Sequence, residues 1–345
     1  SPTWAYKKKK LADSIAIKRL VPNTTKGSID IITARQINKS LVTNVLNALN
    51  GQAAGVSISS GENRMAQLNS VRVRGTTSLT GGNDPLVIID GVYSDLATLS
   101  MVYPADIERF VILKNATETA KYGAKGAAGV IQVTTKKGYG NLFHISYDGN
   151  IGFETKYNKL KMLSARDYIR TAKQLGFSVV DGGYDSNFQD AITRTGFVQK
   201  HHIAFSGGTN DGNYRASVGV MQHEMVVKIT ESRNFTAKFD LIQRAFDKLL
   251  EIDFGVFGAT QHNKYIADEQ KLFHGAATQN PTFPEGMNAQ GGWDRNGSAS
   301  QIASPLAEMR KKDHEQNMIF NTHLGLNFKL SPSLHLLLFG SYSYN

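Results

Sequence analysis

The feature that most constrains this chain is a hydrophobic period of two. In LFHISYDGNIGFE (142–154), Phe143, Ile145, Tyr147, Ile151 and Phe153 alternate with His144, Ser146, Asp148, Asn150 and Glu154. Successive side chains of a β-strand point to opposite faces, so this run has one apolar and one polar face. The pattern returns at 234–241, where Phe235, Ala237, Phe239 and Leu241 oppose Asn234, Thr236, Lys238 and Asp240. At 317–329, Met318, Phe320, Leu324, Leu326 and Phe328 oppose Asn321, His323, Asn327 and Lys329. Weaker versions at 199–208, 213–223, 248–261 and 333–345 bring the expected strands to seven. All are longer than the roughly five to six residues usual in a soluble sheet.

Alternation alone suits a soluble antiparallel sheet with one wet face equally well. The connections separate the two readings. Those at 209–212 (TNDG), 243–247 (QRAFD) and 330–332 (LSP) are short, and those at 155–198, 224–230 and 262–316 are longer. Short and long alternate strictly, so every long loop leaves the same end of the sheet. That asymmetry is the signature of an outer-membrane β-barrel, with tight turns on one side and extended loops outside. Tyr147, Phe153, Phe328, Tyr342 and Tyr344 suit an aromatic girdle, and the polar faces then line a wet lumen. Seven strands leave an open edge, which lipid does not tolerate. The expectation is the first part of a longer barrel.

Composition divides the chain. Of the 32 aromatic residues, six fall in 1–137 and 26 in 138–345, and all nine histidines lie from His144 onward. A boundary is therefore expected near Gly138, in the KKGYGN stretch. Before it, Leu41, Val45, Leu46 and Leu49 share a helical face, and Gly51 is a plausible stop. Strand-like runs follow at 55–58, 70–75, 86–91, 110–113 and 129–135, with a short helix at 116–122 ending at Gly123. LVII and FVIL are apolar on both faces, as buried strands are. The expected fold class is a small α+β domain followed by antiparallel transmembrane β-barrel strands.

The net charge of +10 suggests nucleic acid until it is located. Residues 1–40 hold nine Lys or Arg against Asp13 and Asp30, whereas the other 305 residues hold 30 basic against 27 acidic groups. The surplus is an arm led by Lys7 to Lys10, so no nucleic-acid-binding face is expected. The absence of cysteine excludes disulfides, thiolate metal sites and thiol nucleophiles. No apolar run approaches the roughly 20 residues of a membrane-spanning helix.

Candidate chemistry is sparse. Gly123, Gly126 and Gly129 have a GxxGxxG spacing but run from helix into strand, opposite to a phosphate-binding loop, so backbone packing is the expected role. Asp90 and Gly91 read as a turn after a buried strand. Arg72 and Arg74 share one strand face, which is either solvated charge or a paired-cation surface that docks on carboxylates. The adjacent His201 and His202 point to opposite faces; His144, His323 and His335 fall on polar faces and are expected in the lumen. His223-Glu224 lacks the second histidine of a zinc-protease helix. Asp181, Asp185 and Asp190 have no acid–base spacing, and Trp293 and Asp294 lie in a loop that either touches a ligand or is plain surface. Nothing here calls for a metal or cofactor, and no enzyme activity is expected.

Three segments carry a family resemblance: NVLNALNGQAAGVSI (44–58), VRVRGTTSLTGGNDPLVIIDGV (71–92) and PADIERFVILKNATETAKYGAKGAAGVIQVTTKKG (104–138). In order and spacing they resemble the plug domain of TonB-dependent outer-membrane transporters of the SusC/RagA group. SGGT at 206–209 resembles that group's early barrel strands. The resemblance implies a basic arm at 1–27, a plug at 28–138, and the first part of a 22-stranded barrel at 139–345 with extracellular loops 155–198 and 262–316. It implies plug-motif or plug–barrel roles for Arg72, Arg74, Gly75, Asp90, Gly91, Glu108, Arg109, Lys114, Tyr122, Gly123 and Gly129. Val111 and Asn115 stand where the group usually has Glu and Asp, which removes part of the plug's charge network.

The implied setting is the bacterial outer membrane, with plug and arm toward the periplasm. The implied partners are outer-membrane lipid, a SusD-like surface lipoprotein and the TonB–ExbB–ExbD complex. The implied activity is active import of an oligosaccharide or an oligopeptide. A non-transporting adhesion barrel shares strands and loops but needs no plug. A surface enzyme needs a convergent acid–base set, and a soluble carbohydrate-binding sandwich does not explain the one-sided loops.

Overall fold

The computed structural model describes residues 29–37, 43–49, 51–53, 56–59, 70–73, 84–156, 158–294, 304–331 and 333–344. The N-terminal part has strands β1 (Ile29–Thr33), β2 (Val56–Ser59), β3 (Ser70–Val73), β4 (Leu86–Ile89), β5 (Val92–Ser94), β6 (Ile107–Leu113) and β7 (Val130–Thr135). Five of them form a mixed sheet in the order β1-β6-β7-β4-β5, and β2 pairs with β3 alone. The double-sided burial read in LVII and FVIL is observed: Val87, Ile88 and Ile89 of β4 and Phe110 to Leu113 of β6 are all buried.

Four short helices flank these strands: α1 (Ala34–Ile37), α2 (Val45–Leu49), α3 (Leu96–Met101) and α4 (Ala116–Thr119). Val45, Leu46 and Leu49 of α2 are completely buried in one core with Ile32, Leu99, Met101, Phe110, Ile112 and Ile131. A buried side chain of this size contributes about 1.5–3 kcal/mol. Asp95 starts α3 by accepting from Thr98 N at 2.7 Å, a side-chain cap worth about 1 kcal/mol. The helix expected over 116–122 is shorter. It gives way to a 3₁₀ segment at Ala120–Gly126, kinked where Gly123 takes φ +59°.

All seven expected long strands are present: β8 (His144–Glu154), β9 (Gly196–Gly208), β10 (Gly212–Glu224), β11 (Glu231–Ala245), β12 (Leu250–Ile266), β13 (Lys312–Ser331) and β14 (Leu334–Tyr344). They pair antiparallel in sequence order as one continuous wall. The register lays out its two faces. On the outer face, Tyr214, Leu241, Phe254 and Leu324 fall in one row, and Ala216, Phe239, Val256 and Thr322 in the next. Toward the long loops the apolar rows end at Gln199, Gln222, Arg233, His262 and Gln316. On the inner face, Lys200, His202, Arg215, Ser217, Thr236, Lys238 and Asp240 are buried. No helix among the described residues is long and apolar enough to cross a membrane.

The long connections carry structure of their own. Helices α5 (Ala165–Gln174) and α6 (Phe188–Ile192) lie in the first, and α7 (Glu269–Thr278) and α8 (Pro305–Glu308) in the last. Phe188, Ile192, Val227, Ile266, Leu272, Ala276, Phe283 and Met309 form one core shared by the three connections. Backbone bonds knit them together: Tyr184 N to Thr282 O at 3.0 Å, Ser186 N to Pro281 O at 2.8 Å and Lys228 N to Ile192 O at 2.9 Å. The sequence reads these stretches as long loops; the structure gives them helices and a shared core, because apolar residues spaced along different loops find each other.

Candidate functional site: the interface between N-terminal unit and wall

The N-terminal unit sits against the inner face of the wall. Its core extends into the wall through Phe257, Ala259 and Ile319 on β12 and β13. Two charged clusters flank this apolar contact.

The first is built on the 3₁₀ turn Pro104–Asp106, which follows α3. Proline at the first position fixes φ and suits such a turn. The Asp106 carboxylate receives Arg215 Nη1 of β10 at 2.6 Å and faces His202 Nε2 of β9 at 3.0 Å. Arg215 also donates to Ser217 Oγ at 3.3 Å. The Tyr103 ring stacks on His202, with centroids 4.6 Å apart. Burial pushes the Asp106 carboxyl up, but the His202 hydrogen bond and the Arg215 charge outweigh it and hold the pKa at about 2.

The second cluster centres on the β4–β5 turn, where Asp90 (φ +49°) and Gly91 (φ +87°) both take positive φ, as a tight hairpin requires. Asp90 accepts from Thr135 N at 2.9 Å and Thr135 Oγ1 at 2.5 Å at the end of β7. It lies 3.5 Å from Lys238 Nζ of β11 and 3.8 Å from Lys137 Nζ. Lys137 also reaches Asp240 at 2.6 Å and Asp253 at 3.8 Å, and Lys238 pairs with Asp240. His323 Nε2 faces Asp253 at 3.4 Å. Burial again pushes the Asp90 carboxyl up, yet the Lys137 and Lys238 charges and the Thr135 bonds hold it well below the usual carboxylate range. For Lys137, burial works against the charged form, and Asp90, Asp240 and Asp253 more than restore it.

The residues singled out from sequence divide between these clusters and the N-terminal unit itself. Asp90 stands in the second cluster, and Gly91 abuts the Phe339 ring of β14: a Cβ there would lie 3.1 Å from Phe339 Cζ. Gly129 (φ +97°) packs on Val73. Lys114 pairs with Asp30, tying the end of β6 to β1, and the Tyr122 hydroxyl accepts from Gln132. Arg109 lies 3.9 Å from Glu108, and its Nε is buried without a partner among the described residues. Arg72 belongs to β3, and Arg74 and Gly75 lie outside the described residues.

His202 is buried on the inner face, and His201 on the outer face bonds the Tyr147 hydroxyl at 2.7 Å, as adjacent strand positions require. Sequence reasoning missed Tyr103, Asp106, Lys137, Arg215 and Asp253. The strand period did place Lys238, Asp240 and His323 on the inner face, but not what they meet. No group of three or more His, Asp or Glu suited to a metal occurs among the described residues.

Residues 21–130 match the family model for the TonB-dependent receptor plug domain. The chain is 31% identical to the TonB-dependent receptor SusC of Bacteroides thetaiotaomicron, over 91% of this chain and 35% of SusC. It belongs with the SusC/RagA-like TonB-dependent receptors. A TonB-dependent receptor of Formosa agariphila is 30% identical over 67% of the chain and 23% of its own length. The structure of the RagAB peptide transporter shares the fold with a TM-score of 0.77 at 20% identity, covering 93% of this chain and 41% of that one. This chain thus spans about a third of the curated SusC/RagA-like relative it matches over most of its length. In SusC/RagA-like terms, the N-terminal unit is the plug and the seven strands are part of the barrel wall.

Proposed function

We propose that the chain is the plug and first wall segment of a receptor that imports oligosaccharides across the bacterial outer membrane in a TonB-dependent manner. In this reading residues 1–27 are a periplasmic arm, 28–138 the plug and 139–345 the first barrel strands. The cap of long loops faces outward, under a SusD-like lipoprotein lid. The observation that carries the reading is the fastening of the plug to the inner wall by Asp106–Arg215 and by the Asp90, Lys137, Lys238 and Asp240 cluster. Charge pairs that trade desolvation against attraction hold position without large net stabilisation, so a modest pull releases them. Asp90 and Gly91 act here as plug–wall contacts. Glu108, Arg109, Lys114, Tyr122, Gly123 and Gly129 shape the plug, and Arg72, Arg74 and Gly75 share that plug-motif role. TonB with ExbB and ExbD supplies the pull through the arm.

The resemblance of the plug segments to the SusC/RagA group, with its implied oligosaccharide cargo, supports the first reading; the shared fold with a peptide transporter supports an oligopeptide as the second. Uptake of labelled oligosaccharides and labelled oligopeptides into cells with and without TonB separates them. TonB-dependent uptake of the sugar alone supports the first reading, and of the peptide alone the second. A receptor that binds either at the surface and imports neither is an adhesion barrel.

A further inference from the structure

Gly219 lies in the middle of β10, where φ is not positive and nothing in the backbone calls for glycine. A glycine inside a strand weakens it and marks a place where something approaches closely. What approaches is the plug. A Cβ built on Gly219 would lie 2.5 Å from Cδ2 and 2.9 Å from Cε2 of the Tyr103 ring. The register places His202, Gly219 and Thr236 side by side on β9, β10 and β11. Tyr103 therefore lies across two wall strands, stacked on the imidazole of β9 and seated in the glycine notch of β10. The ring is nearly fully buried, and its hydroxyl has no partner among the described residues.

We infer that Tyr103 and Gly219 form a steric key that sets the register of the plug in the barrel, a task separate from the fastening done by the charges three residues further on. Ion pairs act over several ångströms and tolerate small displacements. A ring in a notch tolerates none, because a shift along β10 drives it into Ser217 or Met221. The key brings Asp106 to Arg215 and His202 in one position only, so the plug reseats after each excursion. This rests on the reading that the plug closes the pore. Gly219 and Tyr103 are positioning residues in it.

The test is potassium chloride conductance of the receptor at its natural length in planar bilayers, with heat-modifiable gel migration as the measure of barrel folding. Gly219→Ala is expected to raise conductance roughly tenfold, the usual scale of an overpacked contact, with gel migration unchanged. Tyr103→Phe is expected to stay closed. Tyr103→Leu combined with Gly219→Ala is expected to conduct less than Gly219→Ala alone, because the smaller side chain leaves room for the methyl group.

An equally leaky double variant would show that the clash is with Thr236, whose Oγ1 is 2.7 Å from the built Cβ, and would overturn the key. So would a Tyr103→Phe variant as leaky as Gly219→Ala, or a closed Gly219→Ala. Deleting the plug, residues 29–135, separates the two readings. If that receptor, with gel migration unchanged, conducts no more than the intact one, the plug does not close the pore and the functional reading fails together with the key; if it conducts freely while Gly219→Ala stays closed, the key alone fails.

Discussion

Asp106 of the plug and Arg215 of strand β10 meet at 2.6 Å with both side chains almost fully buried, although 109 residues separate them in the chain. A carboxylate and a guanidinium taken out of water together are tolerable; either one alone is costly. Seating the plug thus buries the two charges together, each answering the other.

Arg215→Ala is expected to weaken plug seating by about 3–5 kcal/mol, since it leaves Asp106 buried without its cation. The double variant Asp106→Ala/Arg215→Ala is expected to lose much less. Denaturant-induced release of the plug from the folded barrel, read by limited proteolysis in a double-mutant cycle, measures both. Additive losses would show that the two groups act independently.

The second cluster predicts a different pattern. Lys238 lies between Asp90 and Asp240, and Lys137 serves the same two carboxylates from the plug side. Lys238→Met leaves Lys137 with three carboxylates and is expected to loosen the β4–β5 turn, seen as faster hydrogen exchange at Val92 and Tyr93. Adding Asp240→Asn is expected to restore much of the protection, because one negative charge leaves with the positive one.

Acid should release the plug, and the sign follows from the carboxyl groups. The Asp106 pKa is held at about 2 and that of Asp90 well below the usual range, against about 3.9 in an unfolded chain. Their contribution is present above the unfolded value and lost as pH falls through the folded ones. Protease protection of the plug is therefore expected to be level from neutral pH to about 5 and to fall progressively below about 4. A loss of protection on raising the pH instead would contradict this assignment.

Phe257 of the wall is buried in the same core as Val102 and Met101 of the plug. Phe257→Ala is expected to cost about 3–5 kcal/mol of plug seating, the usual range for a large core truncation. The barrel's own gel migration should change little.

The cap predicts coupling between loops far apart in sequence. Phe283 shares a core with Phe188 and Ile192, and Ser186 Oγ donates to its carbonyl at 2.6 Å. Phe283→Ala is expected to speed hydrogen exchange at Tyr184, Ser186 and Lys228 as well as in its own loop. An effect confined to residues 279–286 would mean that the loops fold separately.

The wall was legible in the sequence because its two faces meet different surroundings, and Phe235, Phe239 and Leu241 alternate with Asn234, Lys238 and Asp240 accordingly. The buried plug strands were legible for the opposite reason, since LVII and FVIL have no polar side. Strand β5 and helix α3 were not, because three residues and six residues carry too little periodicity. The pairing of plug with wall was illegible in principle. Asp106 finds His202 across 96 residues through a fold that no local pattern encodes. The alternation showed only that Lys238 and Asp240 would face inward, not that Asp90 would meet them there.

The most direct test of the account uses the absence of cysteine from these 345 residues. Cysteines placed at Ser94 at the end of β5 and at Ser341 of β14, which pairs with His323, joined by a short reducible cross-linker in the receptor at its natural length, tether plug to wall beside the second cluster without replacing any of its charged groups. The account predicts that tethered receptor still binds at the cell surface whichever labelled oligosaccharide or oligopeptide the untethered receptor imports, that TonB-dependent uptake stops, and that reductant restores it. Undiminished uptake through a demonstrably tethered plug would contradict it.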